Sequence, residues 1–236
     1  VFMPNCAPLP KLAATRGYGA DVRFHGKTID EALQEALKFS SETGAVLIHP
    51  FDHEHIVSGQ GTMGLEILEQ CPDVQEVFVC TGGGGLLAGT ALAIKSARPD
   101  VRVVGVQAAG AAAYPASLAA HKPIALASMN TMADGIAVGK PGDVPFALIE
   151  KYVDDIITVE DEQIAQGLLL TLERSKMVVE PAGGAAVAGL LNYRSTKGPI
   201  VATVSGGNID PLLLLRVIRH GLAAAGRYLS LRIRVP

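Results

Sequence analysis

An α/β fold with a doubly wound parallel sheet is predicted by three observations on this chain. Strand-like and helix-like segments alternate along most of its 236 residues. The clearest strand, Val77-Phe78-Val79-Cys80, is apolar throughout, as expected of a strand covered on both faces. That strand and a later one, residues 200–204, each run into a glycine turn, and ligands of such sheets sit at the carboxyl ends of strands.

Taken in order, Phe2-Met3 is an extended apolar start, followed by a helix around residues 8–18 that Gly17 and Gly19 close. Residues 21–25 read as a short strand. Thr28-Ile29-Asp30-Glu31 has the spacing of a capping box and opens a helix to about Thr43, with Ile29, Leu33, Ala36 and Leu37 on one face. Gly44 stops it, and residues 45–49 read as a buried strand. Residues 60–70 form a helix with Met63, Ile67 and Leu68 inward. Strands at 76–80 and 102–107 flank a helix over 86–95. A small-residue stretch, 108–120, and a Gly/Pro-rich connection, 133–145, come next. A strand at 155–159 leads to a helix over 160–176, and Pro181 sits where a further helix over 179–193 can begin. The last buried strand, 200–204, ends in Ser205-Gly206-Gly207-Asn208. Residues 227–235 alternate like a half-buried strand.

Hydrophobic residues make up 49% of the chain, enough for a substantial core. The net charge of −3 includes no long basic run, so nucleic acid is not implied. Three cysteines (Cys6, Cys71, Cys80) without paired spacing suit a reducing compartment and argue against a disulfide framework. The apolar segments are shorter than a membrane-spanning helix, and the expected setting is cytoplasmic with no membrane partner. Strand-like segments without ladder partners at both ends suggest a piece of a longer polypeptide.

The run Thr81-Gly82-Gly83-Gly84-Gly85-Leu86-Leu87 carries the chemistry. Between a buried strand and an apolar helix, its amides form a cradle for an anion, a phosphate above all. Gly83-Gly84-Gly85-Leu86-Leu87-Ala88 also satisfies the dinucleotide pattern, but the next strand ends in Gln107 where an acid should hold the ribose. No Gly-Lys-Ser/Thr follows, against a nucleoside triphosphate. His49, Asp52, His53 and His55 have irregular spacing for zinc and no cysteine partners, so no metal is expected.

Three segments together, Thr81 to Leu86, Val179-Glu180-Pro181-Ala182-Gly183 and Val204-Ser205-Gly206-Gly207-Asn208, resemble the threonine dehydratase/serine racemase group of fold-type-II pyridoxal-phosphate enzymes, whose fold is tryptophan synthase β-like. Met3-Pro4, Lys11, Thr15-Arg16-Gly17-Tyr18-Gly19-Ala20, His49-Pro50-Phe51-Asp52 and Ser58-Gly59-Gln60-Gly61-Thr62 extend the resemblance in the same order, to about residue 221. It implies that Gly82, Gly83, Gly84, Gly85 and Leu86 hold the phosphate of pyridoxal 5'-phosphate. Ser205 would face the pyridine nitrogen, Gly135 (in Asp134-Gly135) would pass the ring, and Glu180 would lie near it. A buried Glu at a helix start gains from the helix dipole. A neutral hydroxyl at the nitrogen leaves the ring largely unprotonated, which weakens it as an electron sink and favours expulsion of a β-hydroxyl.

The resemblance further implies a partial small domain over 1–52, a large cofactor domain over 53–221, and a linker with the first strand of a regulatory domain over 222–236. The family's Schiff-base lysine lies in a Ser-Phe-Lys segment that this chain does not contain, so no catalytic residue is assigned and the chain alone is expected to be inactive. Relatives that bind a divalent cation use acids where this chain has Gln107 to Ala113, again without a carboxylate. The expected activity of the parent protein is β-elimination from L-threonine to 2-oxobutanoate and ammonia, of the isoleucine-biosynthetic type, with a small amino acid as substrate and a homo-oligomeric state. A serine racemase or another hydroxy-amino-acid dehydratase is one alternative, and a non-catalytic α/β binding module is another.

Overall fold

The computed structural model describes residues 1–7, 9–193 and 198–231. Its main sheet has four strands, all parallel, in the order β5-β4-β3-β6: β3 is Glu76–Cys80, β4 Arg102–Ala108, β5 Asp155–Val159 and β6 Ile200–Ala202. Every residue of β3 is buried. Its alternate side chains serve two cores, because successive residues of a strand point to opposite faces. Val77 and Val79 join Val101 and Val103 under α3 (Glu54–Gln70), α4 (Gly85–Ala97) and α6 (Asp143–Tyr152). Phe78 and Cys80 join Val104, Val106 and Ala108 on the other face, against α8 (Pro181–Asn192), which packs on α7 (Asp161–Ser175). The doubly wound parallel α/β architecture is therefore present.

Small residues set how closely these layers approach. A β-carbon at Gly89 of α4 would overlap the Val57 carbonyl of α3, and one at Gly64 would stand 2.8 Å from the Thr90 carbonyl oxygen. Gly189 of α8 lies 2.6 Å, by the same measure, from a Val106 methyl.

A second, two-stranded parallel sheet pairs β1 (Phe2–Met3) with β2 (Arg23–Phe24), joined through α1 (Leu9–Gly17). The predicted start of α1 at Pro8 lies outside the described residues. α2 (Ile29–Thr43) packs on β1. Its N-cap Thr28 accepts from the Glu31 N–H at 3.2 Å, but Glu31 reaches back to the Lys27 N–H rather than that of Thr28, so the capping box is displaced by one residue. Gly44 ends the helix in the left-handed region, at φ 75°.

Several expectations need correction. Residues 45–49 form no strand and are not buried: Val46 is 88% exposed and Ile48 78%. No strand among the described residues pairs with them, and with Val1, Phe2 and α2 they line an apolar groove of about 530 Å³. α3 begins at Glu54, before the predicted residue 60, because His53 caps it by accepting from the His55 N–H. β6 stops at Ala202 and is only half-buried, since nothing among the described residues pairs with its outer edge. α6 and α9 (Pro211–Ala224) were not anticipated. Residues 227–231 form no strand, and the rest of that predicted strand, 232–235, lies outside the described residues. No helix among the described residues is long and apolar enough to cross a membrane.

The α3–α4 contact yields a paired test. Gly89→Val forces the crossing apart and should cost about 1–3 kcal/mol. Gly59→Ala, on α3 and with open space around it, should instead stabilise by roughly 0.5–1 kcal/mol. Urea denaturation of both variants checks the opposite signs.

Candidate functional site

Beyond β3, Thr81 is buried and tied back to the sheet: its N–H donates to the Val106 carbonyl at 2.8 Å and its hydroxyl to the Val79 carbonyl at 3.0 Å. The chain then turns through Gly82 and Gly83 into Gly84, which caps α4 in the left-handed region (φ 101°) without a side-chain hydrogen bond. The N–H groups of Gly82, Gly83, Gly84, Gly85 and Leu86 donate to no acceptor among the described residues. They line a cleft of about 370 Å³, within the size range of small-molecule sites. No Lys, Arg or His lines this cleft among the described residues.

The β-carbons that the glycines lack would collide with neighbouring residues. At Gly83 and Gly85 the space is occupied by Phe51, at Gly84 by the Tyr114 hydroxyl, and at Gly82 by Ile136 with its Cα 3.0 Å away. The absence of side chains thus serves close packing, and the free amides are what the turn offers a ligand.

The opposite wall comes from the end of β6 and the start of α8. Ser205 is exposed at the mouth, and its Oγ lies 3.1 Å from the Sγ of buried Cys80. Burial pushes the Cys80 thiol up, so it stays protonated. Glu180 is the N-cap of α8, yet its carboxylate makes no capping bond. Its N–H donates to the Gly206 carbonyl at 3.0 Å, while the side chain lies across Gly206 and its Oε1 stands 3.7 Å from where a Gly135 β-carbon would be. Burial raises the Glu180 carboxyl above the usual range. The Lys11 charge opposes this and Asp134 adds to it. The dipole gain expected for this residue is therefore outweighed by desolvation.

Gly82, Gly83, Gly84, Gly85, Leu86, Gly135, Glu180 and Ser205 all border this one cleft. Several neighbours were not foreseen. Phe51 backs the glycine turn, Cys80 meets Ser205, and Lys11 of α1 pairs with Asp134 at 3.2 Å across the rim. Each partnership joins segments far apart in sequence, 125 residues for Cys80 and Ser205 and 123 for Lys11 and Asp134.

The discarded ligands leave their residues with other tasks. Gln107 is fully buried, accepting from the Tyr114 N–H at 2.9 Å and donating to the Thr81 carbonyl at 3.4 Å, so it faces no ribose. His49 accepts from the Asp52 N–H at 2.7 Å, which occupies one of its ring nitrogens as a local cap.

Residues 1–206 match the family described as pyridoxal-phosphate dependent enzyme. The chain is 47% identical over 228 residues to an L-threonine ammonia-lyase of Thermotoga maritima, an alignment covering 96% of this chain and 57% of that protein. It therefore spans less than three fifths of that curated relative's length. Among solved structures it is similar to the processed form of threonine deaminase isoform 2 from Solanum lycopersicum, with TM-score 0.85, 35% identity, and 93% of this chain and 65% of that one covered. Maize serine racemase is similar as well, with TM-score 0.85, 34% identity, and coverage of 95% and 70%.

The raised Glu180 carboxyl predicts a pH effect with a definite sign. The folded protein holds this proton to higher pH than the unfolded chain does, so the contribution is complete below the unfolded value of about 4.3 and is lost as pH rises towards the folded value. Glu180→Gln should melt like the parent in acid and become progressively more stable than it towards neutrality. Denaturant midpoints across a pH series measure this, and a constant difference at all pH values would contradict it.

Proposed function

The chain belongs to the pyridoxal-phosphate dependent enzymes, and from that premise we propose that the protein containing it deaminates L-threonine to 2-oxobutanoate and ammonia. The observation that carries this reading is the set of unpaired amides from Gly82 to Leu86 at the N-terminus of α4, facing Ser205 across one cleft. The donor set fits a phosphomonoester dianion. Aligned N–H groups and the positive end of a helix stabilise it without a basic side chain.

In this reading the amides would hold the phosphate and Ser205 would present its hydroxyl to the ring nitrogen. Gly135, exposed on its turn, would give the ring clearance, and Glu180, its carboxyl shifted towards the neutral form, would border it. Bound pyridoxal phosphate supplies an electron sink for the bonds at the substrate's α-carbon. A neutral serine keeps that sink weak, which favours loss of a β-hydroxyl over longer-lived carbanion chemistry. Residues 1–52 are assigned to a small domain, 53–221 to the cofactor domain and 222–236 to a linker. No lysine here stands in the family's Ser-Phe-Lys segment, so residues 1–236 alone should be inactive.

Incubation of the whole protein with L-threonine and pyridoxal phosphate should release 2-oxobutanoate, with pyruvate from L-serine more slowly. Formation of D-serine faster than either keto acid would replace this reading with a racemase. Within the cradle, Gly84→Ala meets both a left-handed backbone and the Tyr114 hydroxyl. It should weaken pyridoxal phosphate binding by about tenfold or more, equivalent to ~1.4 kcal/mol, as read by cofactor titration of the apoprotein.

A further inference from the structure

Tyr114 begins α5 (Tyr114–Ala119) and is fully buried, its ring stacked 6.4 Å from that of Phe146. Its hydroxyl donates to the Gly83 carbonyl oxygen at 3.1 Å, and the Gly142 N–H donates to the same oxygen at 3.1 Å. Its own N–H is held by Gln107, whose amide also donates to the Thr81 carbonyl. Gln107 and Tyr114 therefore splint the glycine turn at both ends, from residue 81 to residue 83. In a trans peptide the C=O and the following N–H point in opposite directions. Drawing the Gly83 carbonyl into the interior consequently turns the Gly84 N–H outward.

We propose that Tyr114 is a positioning residue for the phosphate cradle, fixing the Gly83–Gly84 peptide so that its N–H is presented to the anion. The proposal rests on the cofactor reading above. Tyr114 does not line the cleft and acts only through the glycine turn. Burial and the Asp52 charge hold its phenol protonated far above neutral pH, so it remains a donor throughout the working range. Its hydroxyl also fills the space that a side chain at 84 would need, so the tyrosine and the glycine specify one another.

The test compares pyridoxal phosphate with pyridoxal, which lacks the phosphate, as ligands of the whole protein in apo form. Tyr114→Phe keeps the stacked ring and removes only the hydroxyl, and Tyr114→Met is a second variant without the donor. In each, pyridoxal phosphate should bind about three- to tenfold more weakly, the effect of one lost hydrogen bond, while pyridoxal affinity stays unchanged. Equal weakening for both ligands, or unchanged affinity for both, would overturn the proposal and leave Tyr114 a packing residue. A parent protein that binds pyridoxal as tightly as pyridoxal phosphate would instead remove the phosphate reading of the cleft, and this proposal with it.

Discussion

Parallel pairing of β3 with β4 on one side and β6 on the other governs everything above the sheet. The chain leaves β3 towards the face covered by α3 and α4, whereas it leaves β6 for α9, which packs on α7 over the opposite face. Connections that diverge in this way leave a crevice over the two strand ends. Register then sets what meets there. With Cys80 opposite Val106 and Phe78 opposite Ala202, the turn after β3 and the turn after β6 stand level enough for Cys80 to reach Ser205. A slip of one residue would exchange the faces of Phe78 and Val77 and bury the wrong side of the strand. The two-sided hydrophobic core therefore fixes the cleft as firmly as it fixes the sheet.

Charge is handled in the cleft mostly with fixed dipoles. An ammonium in this position would have to be desolvated, at a cost of several kcal/mol before any partner arrives. The amides of Gly82 to Leu86 carry partial charges already oriented by α4, with little further reorganisation needed. At the far wall the polar groups are a serine hydroxyl, a protonated thiol and a carboxyl pushed towards neutrality. The ion pair of Lys11 with Asp134 stands at the rim, where both side chains keep partial access to water and the desolvation penalty is small.

The parts legible in the sequence are those encoded locally. The unbroken apolar run of β3, the cap at Thr28, the stop at Gly44 and the proline that opens α8 each depend on a few adjacent residues. The glycine turns were legible for the same reason, and strand order brought their residues to one cleft. Residues 45–49 show where local reading ends. An apolar pentapeptide has the same pattern whether or not a neighbouring strand exists to pair with it, and here none does among the described residues. α6 was hidden because Pro145 and the glycines before it read as loop, although a proline in the first turn costs a helix nothing. The contacts of Phe51, Cys80 and Lys11 were out of reach because each depends on two distant segments arriving together.

The glycine run itself acquires a different physical meaning once its surroundings are known. A run without β-carbons suggests room for a ligand to approach the backbone. The space those β-carbons would need is instead taken by Phe51, Tyr114 and Ile136. These neighbours hold the turn by packing and, through the Gly83 carbonyl, by hydrogen bonding. A turn so enclosed cannot rotate its peptides freely, and the entropy that glycine ordinarily loses on ordering has already been spent in folding. Affinity for an anion then reflects a pre-set array of donors rather than a flexible loop that must organise around its ligand. Glycine is required at these positions by the protein's own packing, and the anion cradle follows from where that packing leaves the amides.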